Sequence, residues 1–233
     1  MFYQDVVSEL RPFFSSKKLV NICVGTVYTV STLSDGSSGI AHTVPEGEVP
    51  AAGELLSMKT EDIISMGPES PIVRSITLSI LSSFIDSSFE RGDPLDVIEG
   101  GKLCVFGYSP SVDPKKYSSI VVYDFSEPTV QNRGNLTIRP FSSFQKESCT
   151  HAVVFGSAIV NGQIDRILAN VSADDLILAG VSSVYAPNTL RKYGFSVIGK
   201  VIPIEKVKAL RVACEGGGAS QMIRYVGKFF KKL

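Results

Sequence analysis

Cys149–Pro187, CTHAVVFGSAIVNGQIDRILANVSADDLILAGVSSVYAP, is the most informative stretch of the chain. Ala152–Phe155 is a short apolar run that reads as a buried strand, and Gly156-Ser157 is turn chemistry. Asn161–Val171 has helical spacing, and Leu176–Ala179 is a second apolar run ended by Gly180-Val181-Ser182-Ser183. A strand, helix and strand of this length predict a βαβ unit, with a right-handed crossover and parallel strands. Both turns then fall at carboxyl ends of neighbouring strands, the edge where open α/β sheets bind ligands.

The pattern continues on both sides. Lys102–Phe106, Ser119–Phe125 and Ser196–Val201 read as further strands, with helices at Asn188–Tyr193 and Glu205–Cys214. The first crossover, Tyr108 to Ser118, carries two prolines and has room for little more than one helical turn. Glu127–Thr150 gives no clear period, apart from a short helix expected at Phe141–Lys146. A final helix is expected from Ala219 to Lys231, with Met222, Ile223, Val226, Phe229 and Phe230 on one face.

Upstream the pattern differs. Asp5–Phe14 has a helical apolar stripe, and Asn21–Leu33 alternates with Ile22, Val24, Tyr28 and Val30 on one face. Ser34–Gly39 is a polar, glycine-rich turn, and Gly39–Val44 reads as the returning strand of a hairpin. Helices follow around Glu61–Met66 and from Pro71 to about Ser87, the second with Ile72, Ile76, Ile80 and Phe84 four apart. The charged, glycine-rich stretch Glu90–Gly101 reads as a boundary. The expected division is therefore an α+β domain, 1–93, and an α/β domain, 94–233.

Lys+Arg equals Asp+Glu, at 23 each, so no global field favours nucleic acid or an anionic membrane. The longest apolar runs, Ser70–Ile85 and Ala152–Val160, are too short and too interrupted to span a bilayer. Asp5 and Glu9 sit where a secretory signal needs a basic start and an apolar core, so a cytoplasmic location is expected. Cys23, Cys104, Cys149 and Cys214 form no CxxC pair and lie mostly in apolar segments. They are expected to be reduced and buried.

Several residues could carry chemistry. Gly107-Tyr108-Ser109-Pro110 followed by Asp124 imitates a dinucleotide site, but the later glycines of that fingerprint are missing. Asp124 as a simple cap is the preferred reading, and neither NAD nor S-adenosylmethionine is expected. Gly156-Ser157 with Asn161, beside Ser182 and Ser183, offers hydroxyls and helix-terminal N–H groups to an anionic ligand; a plain N-cap competes with this. No G-x-S-x-G elbow exists, and the chain has two histidines, His42 and His151. Cys149-x-His151 is too few ligands for a structural metal. If the hairpin strands pair symmetrically about their turn, His42 lies opposite Ser31 and near Thr29, on the more polar face. Glu215-Gly216-Gly217-Gly218 reads either as a helix C-cap or as backbone lined with glycine for a close ligand.

VGTVYTV and GIAHT, then VFGYSP, VVFGSAIVNGQIDRIL, LAGVSSVYAPNTLRKYG and the terminal EGGG together resemble the putative heavy-metal-chelation family. The resemblance covers nearly the whole chain. It implies an N-terminal half similar to the enolase N-terminal fold, joined to a small Rossmann-like parallel-sheet half. It also implies a cleft between them that handles a metal or a metal-bearing small molecule. Carried onto this chain, the ligand-binding positions are Thr29, Gly107, Ser157, Asn161 and Ser182, with His42 and Glu215 as metal ligands. Ser157-Ala158 stands where the family commonly has threonines, so one hydroxyl is lost. Enolase chemistry does not follow, since the catalytic barrel is missing.

The expected function is binding of a small anionic or metal-chelating ligand, with a divalent or heavy metal ion as cofactor. The alternative is a transferase or lyase acting on a small anionic metabolite, with His42 as general base. A homodimer built on the hairpin edge or the terminal helix is a third expectation.

Overall fold

The computed structural model describes residues 1–107 and 112–233. Tyr108, Ser109 and Pro110, and with them the start of the first crossover, lie outside the described residues.

The chain opens with helix α1 (Phe2–Leu10), continued by a 3₁₀ turn to Phe14. A three-stranded antiparallel sheet follows, β1 (Leu19–Val24), β2 (Tyr28–Leu33) and β3 (Ser38–His42), in the order β1-β2-β3. The alternation over Asn21–Leu33 therefore covers two strands, because the chain turns back at residues 25–27. Helices α2 (Thr60–Ser65) and α3 (Pro71–Leu81) come next. Pro71 occupies the first turn of α3, and Ser70 caps it by accepting the Val73 amide. The helix stops six residues short of Ser87: Ser82 and Ser83 send their hydroxyls back to the carbonyls of Ser79 and Ile80, competing with further helical bonds.

The remainder builds one nine-stranded sheet. Its elements are β4 (Glu90–Arg91), β5 (Lys102–Phe106), β6 (Ser119–Asp124), β7 (Gln131–Arg133), β8 (Leu136–Pro140) and β9 (Glu147–Phe155), then helices α4 (Ser157–Val160) and α5 (Ile164–Asn170). After these come β10 (Val171–Ala179), α6 (Pro187–Lys192), β11 (Phe195–Pro203), α7 (Lys206–Cys214), α8 (Ala219–Met222) and β12 (Val226–Lys232). The strand order is β4-β12-β11-β10-β9-β5-β6-β8-β7. From β11 to β8 all neighbours run parallel; β12, β4 and β7 are antiparallel additions at the two edges. The architecture is α/β, as expected, and the βαβ unit is present: β9 and β10 pair in parallel from Glu147↔Val171 to Ala179↔Phe155.

Three further expectations fail. The helix expected over Asn161–Val171 is confined to α5, Ile164–Asn170, with a separate turn, α4, before it; Gly162 turns the chain between them at φ +69°. The terminal helix Ala219–Lys231 is one turn, α8, followed by β12, which pairs with β11 from Val197↔Lys232 to Pro203↔Val226. Satisfying the ladder of an exposed parallel edge outweighs a helical apolar period that also contains Gly227. Third, the cysteines are not reduced: Cys23 is joined to Cys214 and Cys104 to Cys149. Spacing along the chain misled because each pair is brought together only by the tertiary fold, across 191 and 45 residues.

The two sheets share a core. Phe2, Val6 and Leu10 of α1 and Ile76 and Ile80 of α3 pack in the same apolar cluster as Val154, Ala158, Leu178 and Leu190. Burying each such side chain is worth about 1.5–3 kcal/mol, so this cluster fixes how the halves sit. Polar ties add direction: the Phe2 amide donates to Asp165, and the Glu9 carboxylate accepts the amides of Asn188 and Thr189 at the start of α6.

Candidate functional site

The small sheet meets the large one along β3. This strand is the edge of its sheet, and an open edge exposes alternate amides. Three successive alternate amides along this edge, at residues 40, 42 and 44, are received by serines. Ile40 donates to Ser82 (2.9 Å), His42 to Ser182 (2.8 Å) and Val44, just past the strand, to Ser75 (3.1 Å). Ser75 and Ser82 come from α3, but Ser182 comes from the loop after β10. The hairpin is thereby held directly over the carboxyl edge of the large sheet.

Beneath it lies a cleft of about 690 Å³, within the size range of sites for small organic ligands. Its floor is made by the carboxyl ends of four parallel strands: Gly107 after β5, Asp124–Ser126 at the end of β6, Phe155–Ser157 after β9 and Ala179–Val181 after β10. The chain steps from β5 outward to β6 and β8, then returns to the other side of β5 to lay down β9, β10 and β11. The order reverses between β5 and β9, which is where open α/β sheets form their binding crevice. Tyr28 and residues 42–46 close the cleft from the hairpin side, and Met222, Ile223 and Val226 form a flank.

His42, Gly107, Ser157 and Asn161 all line this cleft. Gly107 and Ser157 are close neighbours, since a Cβ on Gly107 would lie 3.3 Å from Ser157 Oγ. Asn161 ends α4 instead of starting a helix. Thr29 stands behind the wall, fully buried, its hydroxyl 2.9 Å from that of Thr43, a lining residue. Ser182 is likewise fully buried and spends its oxygen on the His42 amide. Glu215 is exposed at the end of α7 and is not among the lining residues, so it is not brought together with His42.

His42 does not lie opposite Ser31. The register pairs it with Tyr28, and Ser31 with Gly39, three residues away from a pairing symmetric about the turn. It therefore shares the face of Tyr28, Val30 and Ile40, with its ring edge-on to Tyr28 at 6.5 Å between centroids. Burial lowers its pKa below the ordinary histidine value, so the imidazole is neutral at neutral pH. His151 is structural: its ring bonds Asp175, its partner across the β9–β10 ladder, at 2.9 Å and the Glu99 carbonyl at 3.1 Å. The Asp124 carboxylate accepts the Ser126 amide at 2.7 Å, which is the capping role.

Sequence reasoning missed the charged part of the wall. Lys228 pairs with Asp93 at 2.6 Å on one flank. Lys200, in the middle of β11, is 2 % exposed and donates to the Phe84 carbonyl at 2.8 Å. Desolvation lowers its pKa to about 7. A lone lysine inside the apolar run Ser196–Val201 was the one available signal. Of the remaining lining groups that carry charge, Glu46 and Asp124 are carboxylates. The cleft therefore carries no excess of positive charge with which to draw an anion.

The profiles of two neighbouring families, both described as putative heavy-metal chelation, match the chain: DUF364 over residues 93–232 and DUF4213 over residues 8–85. The chain belongs to the DUF364 family. Two solved DUF364 proteins of unknown function share its fold. The one from Pyrococcus horikoshii is 17% identical over 100% of both chains, with a TM-score of 0.77. The one from Desulfitobacterium hafniense is 16% identical over 99% of this chain and 97% of the other, with a TM-score of 0.79. At such identities the likeness carries the fold and no more. A search of curated proteins gave no match. Among the described residues no helix is long and apolar enough to cross a membrane.

The family description prompts a test of the donor set. Among the described residues, no three His, Cys, Asp or Glu side chains gather where they could hold a metal ion. The four cysteines are in disulfides, His151 is engaged, and His42 is the one histidine in the cleft. These residues do not fit a bare soft metal ion held in the cleft by protein ligands alone.

Proposed function

We propose that this DUF364 protein binds a small organic metal chelate in the cleft between the hairpin and the sheet edge. In this reading the organic ligand supplies most of the metal's donors, and the protein supplies the enclosure and one imidazole, His42. The observation that carries it is the mismatch of scale: a cleft of about 690 Å³ containing a single neutral histidine. A bare ion needs several converging side chains and little space, whereas a chelated ion needs space and one open-site ligand. Ser157 and Asn161 are positioned to bond polar groups of the ligand at the switch point, and Phe125, Phe155 and Tyr28 to cover its apolar part. With Lys228 paired to Asp93 and Lys200 to a carbonyl, the wall favours a neutral or cationic chelate over the anionic ligand expected from sequence.

Calorimetry with nickel(II) and with its neutral 1:1 iminodiacetate complex tests this. Saturable binding of the complex, weakened at least about tenfold in His42→Ala, is expected, that factor being about 1.4 kcal/mol for one lost ligand. Equal affinity of wild type and variant for the complex, or saturable binding of bare nickel that His42→Ala abolishes, contradicts the reading.

A further inference from the structure

The cysteine sulfurs of this chain lie outside the cleft, and the fold treats its two disulfides differently. Cys104 is fully buried and Cys149 is 8% exposed; both pack inside the main apolar cluster, and together they link β5 to β9 within the sheet. Cys214, the last residue of α7, is exposed, and Cys23 near the end of β1 is half-buried. Their Cα atoms are 5.4 Å apart. The two positions are held there by packing as well as by the covalent bond. Tyr28, Val30 and Ile40 of the small sheet pack on Ala209 and Ala213 of α7. A side chain at Gly25 would overlap the Ala213 carbonyl, so the β1–β2 turn lies directly against the end of α7.

We infer that the Cys23–Cys214 pair, once reduced, is a two-thiolate site for a soft metal ion such as copper(I) or mercury(II), separate from the cleft. A dithiol reductant donates two electrons and two protons to the disulfide, giving two thiols and its own disulfide. Binding then replaces the two thiol protons with the metal and forms two metal–sulfur bonds. Paired thiolates held close together are the donor type that selects soft d¹⁰ ions over harder competitors. Exposure makes this pair, and not Cys104–Cys149, the one that a reductant reaches without opening the sheet. The exposed Glu215 directly follows Cys214, which brings this carboxylate next to the thiols and away from His42.

The test uses the full chain, treated with dithiothreitol, desalted without oxygen and titrated with mercury(II) chloride. Native mass spectrometry reads stoichiometry, and maleimide labelling with peptide mapping reads which cysteines the metal protects. The expected result is one mercury per chain, with Cys23 and Cys214 protected together, and loss of that binding in Cys23→Ser and in Cys214→Ser. Labelling of Cys23 and Cys214 that proceeds equally with and without metal overturns the inference, as does undiminished binding by the double variant. Since labelling is read on the wild-type chain, a variant that fails to fold leaves the test intact. A His42→Ala chain is expected to bind mercury like wild type, which separates this site from the cleft.

Discussion

The His42 amide donates to Ser182 Oγ at 2.8 Å, joining the end of β3 to the loop after β10 across 140 residues of chain. That bond fixes the roof of the cleft to its floor, and it explains why a serine expected to touch ligand is wholly buried. Removing it leaves a buried amide with no acceptor. Ser182→Ala is expected to cost about 1–3 kcal/mol of unfolding free energy, the desolvation penalty of such a group. Urea denaturation checks this; a loss below about 0.5 kcal/mol, the level of ordinary surface substitutions, contradicts it.

Gly156 sets the spacing at the same junction. Its φ of −57° suits any residue, so alanine strains nothing in the backbone. The obstacle is space: a Cβ there would overlap the peptide linking Ser182 and Ser183. Gly156→Ala is expected to destabilise by about 1–3 kcal/mol through overpacking against backbone that cannot swing aside. It is also expected to weaken binding of the nickel(II) iminodiacetate complex, because the β9 and β10 ends must separate. An unchanged urea midpoint would show that the junction is slack.

Lys200 gives a pH signature. Its pKa falls from 10.5 in the unfolded chain to about 7 in the fold, by desolvation. Between these values the unfolded chain binds one proton more than the folded one, so unfolding free energy rises with pH. The slope from one such group is about 1.4 kcal/mol per pH unit through the middle of that window, flattening below 7 and above 10.5. The curve for wild type minus Lys200→Met isolates this group from the other titrating side chains. A difference curve that is flat from pH 7.5 to 9.5 would mean that the amine is solvated in the folded state, contrary to its 2 % exposure.

The parallel heart of the sheet was legible because strands buried on both faces are uninterrupted apolar runs, as at Leu103–Phe106, Ala152–Phe155 and Leu176–Ala179. The turns that end them mark the site edge in sequence, and Gly107, Ser157 and Asn161 do line the cleft. What failed depends on long-range pairing. Val226–Lys232 carries a helical apolar period but is recruited as a strand by the open edge of β11. The position of His42 turned on a hairpin register that differs by three residues from the symmetric one, enough to exchange the two faces of the sheet. The cysteine pairs and the burial of Lys200 are set by elements far apart in the chain; local sequence carries no trace of the pairs, and of the buried lysine only its place in an apolar run.

The central claim is that a metal enters this cleft already chelated and is met by one imidazole. Crystals grown with the neutral nickel(II) iminodiacetate complex and measured at the nickel absorption edge test it most directly. The account predicts one anomalous peak inside the cleft, bonded to the His42 ring, with chelator density extending toward Ser157 and Asn161. A peak surrounded by several protein side chains without chelator, or a nickel-loaded crystal with no peak in the cleft, would contradict it.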